Sequence, residues 1–474
     1  MLSALTRAFR SLGLSRPAAR HAARGYDGAA GGRRWRNAGE TPAPIAAALA
    51  GRATLARRAQ YLAGNNGHAA AGVAAWTSAL VGAGIKPQSR AADPQARKAV
   101  NAAFARWTDA ADAAGGLDFF GLQALIARSL VVTGEAFVVL SHDETGALRL
   151  RVLDSGQVDG SYHADLPGGA RVVAGIEFDA AGRRVAFYLW KDPPGLPLGA
   201  SVELLRVPAE DVCHIYHCAT PGMVRGVSWF APVLLRLADL DAAHDAQLTR
   251  QKIAALLTGF VVDPNGNAAG YAGSPDGQGG VEPSLEPGEM KVLRPGEDVR
   301  FSEPAQIGAE AIDFLKITAR EIAAGLGIPY EQLTGDLSGV NYSSIRAGLV
   351  EFRRRAEMLQ LATIIHQFCR PVWRRWLAAE ILAGRLDAPG FERDPEAWLA
   401  VDWLPPKNDW VDPLKDAQAE ILAIDAGLMS RRQAVAARGY DLEALDAEIA
   451  ADAASAAALG LSFAKPADPI AEVK

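Results

Sequence analysis

The chain is poor in cysteine and has no long apolar run. It holds three cysteines in 474 residues, Cys213, Cys218 and Cys369, which are too few for a disulfide framework and are typical of a reducing compartment. Apolar runs such as Ala254–Leu257 are far shorter than the roughly 20 residues with which a helix spans a bilayer. The sequence therefore predicts neither a disulfide-stabilised protein nor a membrane-spanning one.

The sequence also lacks the motifs that mark common catalytic and nucleotide sites. It has no G-x-S-x-G, no H-E-x-x-H, no Walker A loop and no paired C-x-x-C. Gly82 and Gly84 could begin a dinucleotide loop, but the third glycine is missing and Lys86-Pro87 follows instead of a helix, so this pattern predicts a turn. We expect no catalytic residue, no cofactor and no nucleotide-driven motor.

Two segments hold side chains that could bind a metal ion. Cys213–Cys218 contains two histidines and two cysteines, but strand alternation puts His214 and His217 on opposite faces and favours a core strand. A second set of candidate ligands precedes a predicted helix: Asp409, Asp412 and Asp416. Acids at that position usually serve the helix dipole. A soluble metal-dependent DNA-processing enzyme that uses these residues is the alternative hypothesis.

The net charge of −5 is unevenly distributed. Residues 1–60 contain 11 arginines and 2 acidic residues, a net charge of +9, so the remainder carries −14. A basic arm of this kind is typical of a partly disordered segment, or of one that contacts nucleic acid or an acidic partner. Its composition also resembles an organellar presequence, which leaves a third hypothesis of an imported protein.

Hydrophobic periodicity predicts helices followed by an irregular run of strands, and hence an α+β fold. The predicted helices are Tyr61–Leu80, Ala96–Trp107, Leu117–Ala127 with Asp118 as a cap, Pro232–Leu257, Ser343–Phe368, Val372–Leu382 and Lys415–Leu459. The predicted strands are Leu130–Leu140, Leu148–Leu153, Val172–Phe178, Arg184–Trp190, Phe260–Val262, Met290–Leu293 and Val299–Phe301. Pro371 is predicted to interrupt the long helix.

The stretch Ala309–Arg355 organises the chain. It begins with an amphipathic helix that Gly325 and Gly327 close and that Pro329 forbids to continue. A polar loop, Thr334–Tyr342, leads to a second, arginine-rich helix that Ser343 or Ser344 could cap. We therefore expect two helices that meet across a short polar elbow.

Several segments between about residues 60 and 410 together resemble a known family. They are RWTDAADAAGGLDFFGLQALIARSLVVTGEAFVVL, GIEFDAAGRRVAFYLW, RGVSWFAPVL, GLGIPYEQLTGD, NYSSIRAGLVEFRRR and FCRPVWRRWL. In this order they are similar to the lambda-type portal proteins of tailed bacteriophages. No single segment is a metal or phosphate signature, and the resemblance depends on several long matches in one order.

The resemblance implies an elongated portal subunit with an α/β wing, a two-helix stem, a small β-rich clip and a helical crown. The implied parts are a basic arm (1–60), wing (61–228), first stem helix (229–258), clip (259–308), second stem helix (309–327), tunnel-loop region (328–345), long helix and wing/crown connection (346–410), and crown and tail (411–474). Such subunits form a dodecameric ring at one capsid vertex of the virion, assembled in the bacterial host cytoplasm without a membrane. The implied partners are double-stranded DNA, the terminase large subunit, head-completion or neck proteins, and the major capsid and scaffold proteins.

The resemblance also suggests candidate site residues. The candidates for the DNA channel are Lys316, Arg320, Asn341, Ser343 and Arg346. The candidates for terminase docking in the clip are Asp263, Asn265, Glu289 and Lys291. Other arginines, such as Arg353–Arg355, Arg374 and Arg375, could follow a phosphate backbone, but arginine runs on helices are more often solvated or paired with acids. Trp373, Trp376 and Trp398 are expected to be packing anchors.

Overall fold

A computed structural model describes residues 43–193, 195, 203–255, 259–262, 274–275, 281–282, 298–301, 308–339, 341–406 and 413–461. The chain divides into two units, Met1–Ala48 and Leu49–Lys474. Of the described residues, the helices and strands lie in the second unit, apart from the start of the helix Pro44–Asn65. Among the described residues no helix is both long and apolar enough to cross a membrane.

The described residues begin with four helices, and polar side chains, those of Asn66, Asp93 and Asp118, cap the starts of the last three. They are α1 (Pro44–Asn65), α2 (Gly67–Val81), α3 (Pro94–Thr108) and α4 (Phe119–Thr133). The predicted helix Tyr61–Leu80 is two helices, because Asn66 ends one and accepts the Ala69 N–H at the start of the next. Asp118 caps α4 as predicted.

The strands of the first half lie in three antiparallel sheets. A three-stranded sheet has the order β3 (Leu148–Leu153), β2 (Glu135–His142), β9 (Val212–Tyr216). A five-stranded sheet runs in sequence order through β4 (Ala164–Asp165), β5 (Arg171–Val173), β6 (Ile176–Phe178), β7 (Arg184–Trp190) and β8 (Leu204–Pro208). β1 (Lys86–Ser89) pairs with β14 (Val401–Leu404). Single 3₁₀ turns lie at Ser155–Gln157, Pro167–Gly169 and Ala209–Asp211.

Two of the strand predictions need correction. Leu130–Thr133 belongs to α4 rather than to a strand, because Gly134 adopts φ 90° and ends the helix there. Leu130, Val131 and Val132 are apolar and buried, so periodicity alone does not separate helix from strand here. The predicted strand Val172–Phe178 is two strands, since Ala174 (φ 51°) and Gly175 (φ 78°) turn the chain between them.

The second half is mainly helical. Its helices are α5 (Leu234–Ala255), α6 (Ala309–Leu326), α7 (Tyr330–Thr334), α8 (Tyr342–Leu359), α9 (Arg370–Leu382), α10 (Pro395–Leu399), α11 (Pro413–Asp425), α12 (Arg431–Ala437) and α13 (Leu442–Ala458). Between α5 and α6, β10 (Gly259–Val262) pairs with β13 (Asp298–Phe301), and β11 (Ser274–Pro275) pairs with β12 (Val281–Glu282). This confirms two predicted strands, whereas Met290–Leu293 lies outside the described residues. The single helix predicted over Lys415–Leu459 is three helices.

Pro371 does not interrupt the long helix, contrary to the prediction. The segment Gln360–Cys369 is π-helical and joins α8 to α9 without a break. Every fourth residue through this region is buried: Ala356, Gln360, Ile364, Phe368, Val372, Trp376 and Glu380. In a regular α-helix, residues four positions apart are rotated by about 40° around the helix axis, so such a row would drift away from one face. The π-helical segment has more residues per turn, and it therefore keeps the row facing the same core.

Most of the described helices and β2, β3 and β9 share one apolar core. Its aromatic centre joins α3, α4, the π segment and α9, where Phe104 contacts Trp373 and Trp376, and Phe119 stacks on Phe368. The expected packing role of Trp373 and Trp376 is confirmed, since both side chains are buried. A smaller core lies around Phe137, Ile176 and Phe187. The α+β class is confirmed.

Candidate nucleic-acid interface

The helices α5 and α6 pack antiparallel, with the start of one against the end of the other. A Cβ at Gly325 would lie 2.4 Å from Cγ1 of Val233, the residue before α5, so the backbone of α6 approaches the start of α5 more closely than a side chain allows. Leu237 and Ile322 are fully buried in the core that includes this contact. Arg236 and Glu321 form an exposed ion pair of 3.6 Å across the two helices. Small size at residue 325 therefore sets the spacing of the pair.

The end of α6 is fixed by contacts with α2 and α8. Gly327 adopts φ 72°, and the Ile328 N–H donates to the Ala323 carbonyl at 3.0 Å, which closes the helix. The buried Trp76 indole of α2 donates to the Leu326 carbonyl at 3.0 Å. Arg355 of α8 donates to the Gly327 carbonyl at 3.1 Å. The turn that follows α6 therefore has a defined position relative to both helices.

The described residues of the polar loop between α7 and α8, 335–339 and 341, are named the elbow. The prediction of a loop over Thr334–Tyr342 is confirmed, with one residue at each end belonging to a helix. Asp336 organises its start: Oδ1 accepts the Ser338 N–H at 3.0 Å and the Ser338 hydroxyl at 2.5 Å, and Oδ2 lies 3.3 Å from the Tyr330 hydroxyl. The hydrogen bonds from Ser338 and Tyr330, together with Lys316, lower the pKa of this carboxyl.

Two of the predicted channel residues lie on α6 and face the elbow region. Lys316 Nζ is 3.9 Å from Asp336 Oδ2, and the Arg320 guanidinium lies over the Tyr330 ring, 5.3 Å from its centroid. Lys316 keeps 42% of its side chain exposed. Both cations are therefore close to the elbow, and Lys316 is accessible to solvent.

The other three channel candidates lie at the start of α8. Asn341 is the N-cap: its side chain accepts the Ser344 N–H at 2.9 Å, so neither Ser343 nor Ser344 caps the helix as predicted. An N-cap side chain accepts the backbone N–H two or three residues later, and Asn341 stands three residues before Ser344. Ser343 is exposed, and Arg346 pairs with Asp416 at 3.1 Å. Arg346 is thus partly neutralised within the chain.

Three other arginines of the long helix are paired with acids, as the alternative interpretation predicted. Arg354 pairs with Glu351 at 3.1 Å, Arg374 pairs with Glu396 at 2.9 Å, and Arg375 contacts Asp211. These contacts spread the positive charge of α8 and α9 among acidic neighbours. A continuous unpaired basic stripe along this helix is therefore not supported.

The suspected metal strand is part of a buried ionic cluster instead. Glu135 is fully buried, accepts hydrogen bonds from Arg225 at 2.8 Å and from Arg52 at 2.7 Å, and lies 3.0 Å from His214 Nε2. Burial raises the pKa of Glu135, but Arg225, His214 and Arg52 outweigh it and hold that pKa well below its usual range. Burial lowers the pKa of His214 to about 4, so the ring is neutral near pH 7.

Aromatic rings enclose His214. It stacks between Phe137 at 4.3 Å and Tyr216 at 4.4 Å, and Arg225 and Arg184 lie over those two rings. Within the described part of the chain, no three His, Cys, Asp or Glu residues are arranged to hold a metal ion. No local sequence pattern indicates this cluster, since Glu135 and Arg225 are 90 positions apart.

Several candidates fall outside the described residues. The predicted clip residues Asp263, Asn265, Glu289 and Lys291 lie there, as do Asp409 and Asp412. Asp416, the third acid of the second metal hypothesis, accepts a hydrogen bond from Arg346. The three cysteines are free thiols, with Cys213 and Cys369 buried and Cys218 exposed.

Comparison with known proteins identifies the family. The profile of phage portal proteins, lambda family, matches residues 31–360, which is more than half of the chain. The chain belongs to the lambda family of phage portal proteins. That name describes a structural component of a phage particle rather than an enzyme.

Named relatives of this portal protein occur in phages. It is 27% identical over 421 residues to a probable portal protein of Halomonas phage phiHAP-1, covering 84% of this chain and 80% of the relative. It is 24% identical over 330 residues to portal protein B of Escherichia phage lambda, covering 61% of this chain and 59% of the relative.

Solved structures with similarity to this portal protein come from particles and from an isolated portal. A chain from the neck of a native gene transfer agent particle is 18% identical, with a TM-score of 0.47, and the match covers 84% of this chain and 98% of that one. A portal protein of the HK97 family from Corynebacterium diphtheriae is 15% identical, with a TM-score of 0.31, over 69% of this chain and 93% of that one.

Proposed function

We propose that copies of this portal protein close into a ring, expected to be dodecameric, at one vertex of a capsid. Double-stranded DNA passes through the ring during packaging and leaves through it during ejection. The proposal is supported by the family, and most directly by the antiparallel pair α5 and α6, which carries the elbow at one end and an inserted segment at the other. In this arrangement the pair is the stem and the elbow approaches the DNA.

The outer face of α6 favours contact with another copy. Phe314 and Ile317, about one turn apart on α6, are 62% and 53% exposed. Clustered exposed apolar side chains mark interaction surfaces in soluble proteins. A neighbouring copy in the ring would cover this face, and the burial of these apolar side chains would then favour closure of the ring.

The proposed DNA contacts are few. Lys316 and Arg320 are the main cationic candidates, with Asn341, Ser343 and Arg346 at the start of α8 as further contacts. Because each neutralised phosphate releases counterions and strengthens binding, many fixed cations would hold the DNA instead of letting it slide. The pairing of most arginines on α8 and α9 with acids is consistent with a conduit.

The inserted segment between the stem helices is the proposed docking site for the terminase large subunit, and afterwards for neck proteins. Residues 259–308 would be the clip, residues 61–228 the wing and residues 411–474 the crown, and the capsid and scaffold proteins would contact the ring from the capsid side. The protein is then a component of the virion that is assembled in a bacterial host. It is expected to have no enzymatic activity alone.

Native mass spectrometry of the purified full-length chain tests the ring. We expect closed rings from the unchanged protein and loss of most rings in the double variant Phe314→Glu, Ile317→Glu. The matched control is Leu382→Glu on α9, where the leucine is 87% exposed outside this face. Rings that persist in the double variant would contradict the stem interface. Nicking of supercoiled DNA by the unchanged protein with Mg²⁺ or Mn²⁺ would favour the enzyme hypothesis.

A further inference from the structure

Asp336 is held in the elbow without help from Lys316. Its Oδ1 accepts the Ser338 N–H and hydroxyl at 3.0 and 2.5 Å, and its own N–H donates to the Thr334 hydroxyl at 3.2 Å. The Tyr330 hydroxyl approaches Oδ2 at 3.3 Å. These contacts come from α7 and from the elbow, so the carboxylate keeps its position when a cation leaves.

The contact of Lys316 with Asp336 is loose by comparison. The two charged atoms are 3.9 Å apart, beyond hydrogen-bond distance, and the side chains are 42% and 31% exposed. Exposed ion pairs of this kind are weak because water and salt screen them. Lysine carries a point charge on a flexible stem, so Nζ can move to another anion by rotating its own side chain.

We propose that Asp336 is an internal competitor for Lys316, which shields this cation until a DNA phosphate takes its place. The inference rests on the proposed role of the elbow in the DNA channel and adds the device that keeps the contact weak. A phosphate that approaches α6 exchanges with the carboxylate, one anion for another, and the elbow remains folded. When the phosphate moves on, Lys316 returns to Asp336. Each passing phosphate is therefore bound less tightly than it would be by an unpaired lysine.

The experiment is a double-mutant cycle on the purified full-length protein. Fluorescence anisotropy measures binding of a short linear DNA duplex across a range of salt concentrations, for the unchanged protein, Lys316→Gln, Asp336→Asn and the double variant. The amide that Asp336→Asn introduces keeps an oxygen for the two Ser338 bonds, so the elbow remains folded. Asp387→Asn, at an exposed carboxylate outside the elbow, controls for the change in net charge.

The expected result is tighter binding for Asp336→Asn than for Asp387→Asn. Because one phosphate contact becomes stronger, the slope of log K against log salt should become steeper, by up to about 0.9. The double variant should bind like Lys316→Gln, since Asp336 acts only through this lysine. If Asp336→Asn binds DNA with the same affinity as Asp387→Asn, while Lys316→Gln binds more weakly than the unchanged protein, the inference is overturned and the proposed DNA contact of Lys316 remains. Binding that is unchanged by Lys316→Gln would overturn it too, and would remove Lys316 from the proposed function.

Discussion

Glu135 and Asp336 both lie beside cations, but in opposite settings. Glu135 and Arg225 are both 0% exposed, and the pair is closed by hydrogen bonds of 2.8–3.0 Å. Asp336 and Lys316 are 31% and 42% exposed and 3.9 Å apart. Charge pairing at Glu135 holds α1, β2, β9 and the segment before α5 together, whereas at the elbow the same chemistry leaves a cation available. Burial decides which role a pair has.

The largest expected effect is removal of the buried carboxylate. Glu135→Gln leaves Arg52 and Arg225 without a counter-charge, and breaking a buried pair in this way costs about 3–5 kcal/mol. Urea unfolding of the full chain measures the loss. The matched change Asp336→Asn should leave the urea midpoint close to that of the unchanged protein, because solvent screens the exposed pair. Equal losses in the two variants would contradict the contrast.

Acid should weaken the buried cluster next. Folded His214 has a pKa of about 4, below the ordinary value of 6.5, so between these values the unfolded chain binds more protons. His214 thus adds stability that is full above pH 6.5 and lost as the pH falls to 4, a loss of about 3 kcal/mol. Glu135, whose pKa is depressed, adds a further loss below about pH 4.3.

Unfolding midpoints between pH 7 and pH 4 check the sign and the window. His214→Gln removes the titrating imidazole, so the unfolding midpoint of this variant should fall less between pH 6.5 and pH 4 than that of the unchanged protein. A variant with the same fall would show that other groups cause it.

A smaller effect is expected where α6 meets α5. Gly325→Ala places a methyl group 2.4 Å from Val233 Cγ1, and overpacking of this kind costs about 1–3 kcal/mol. Gly348→Ala in α8 meets no atom within 4 Å and should stabilise its helix by about 0.5–1 kcal/mol. Thermal melts of the two variants should shift in opposite directions. A shift in the same direction would mean that the close helix contact is not rigid.

The smallest effect belongs to the elbow. Lys316→Gln should change the free energy of unfolding by less than about 1 kcal/mol, because the exposed pair is screened. The same substitution should weaken DNA binding, which separates function from stability at this residue. A destabilisation as large as that of Glu135→Gln would show that the pair is structural.

Much of the fold follows from short-range signals in the sequence. The amphipathic period of α6, the closing glycine Gly327 and the cap at Asp118 act within a few residues, and the structure confirms them. The prediction that Gly325 also closes α6 is wrong, because Gly325 lies inside the helix where it packs against Val233. Leu148–Leu153 and Arg184–Trp190 match the observed strands residue for residue. The limits lie where burial on all sides removes periodicity, as at Leu130–Thr133.

Other features depend on partners far away in the chain. Glu135 meets cations 83 and 90 positions away, and no local pattern encodes such a pairing. The π-helical segment lies within a row of buried residues at every fourth position, from Ala356 to Glu380, and that spacing differs from the 3.6-residue period of an α-helix. Lys316 could be proposed from its place on α6, but its contact with Asp336 required the turn of the elbow.

The central claim is that copies of this portal protein form a ring, and that Lys316 and Arg320, close to the elbow, line its opening. Electron cryomicroscopy of the purified full-length chain mixed with a DNA duplex tests it most directly. The account predicts closed rings in which Lys316 and Arg320 face the axial opening. Rings in which these residues face away from the axis, or protein that stays monomeric under assembly conditions, would contradict it.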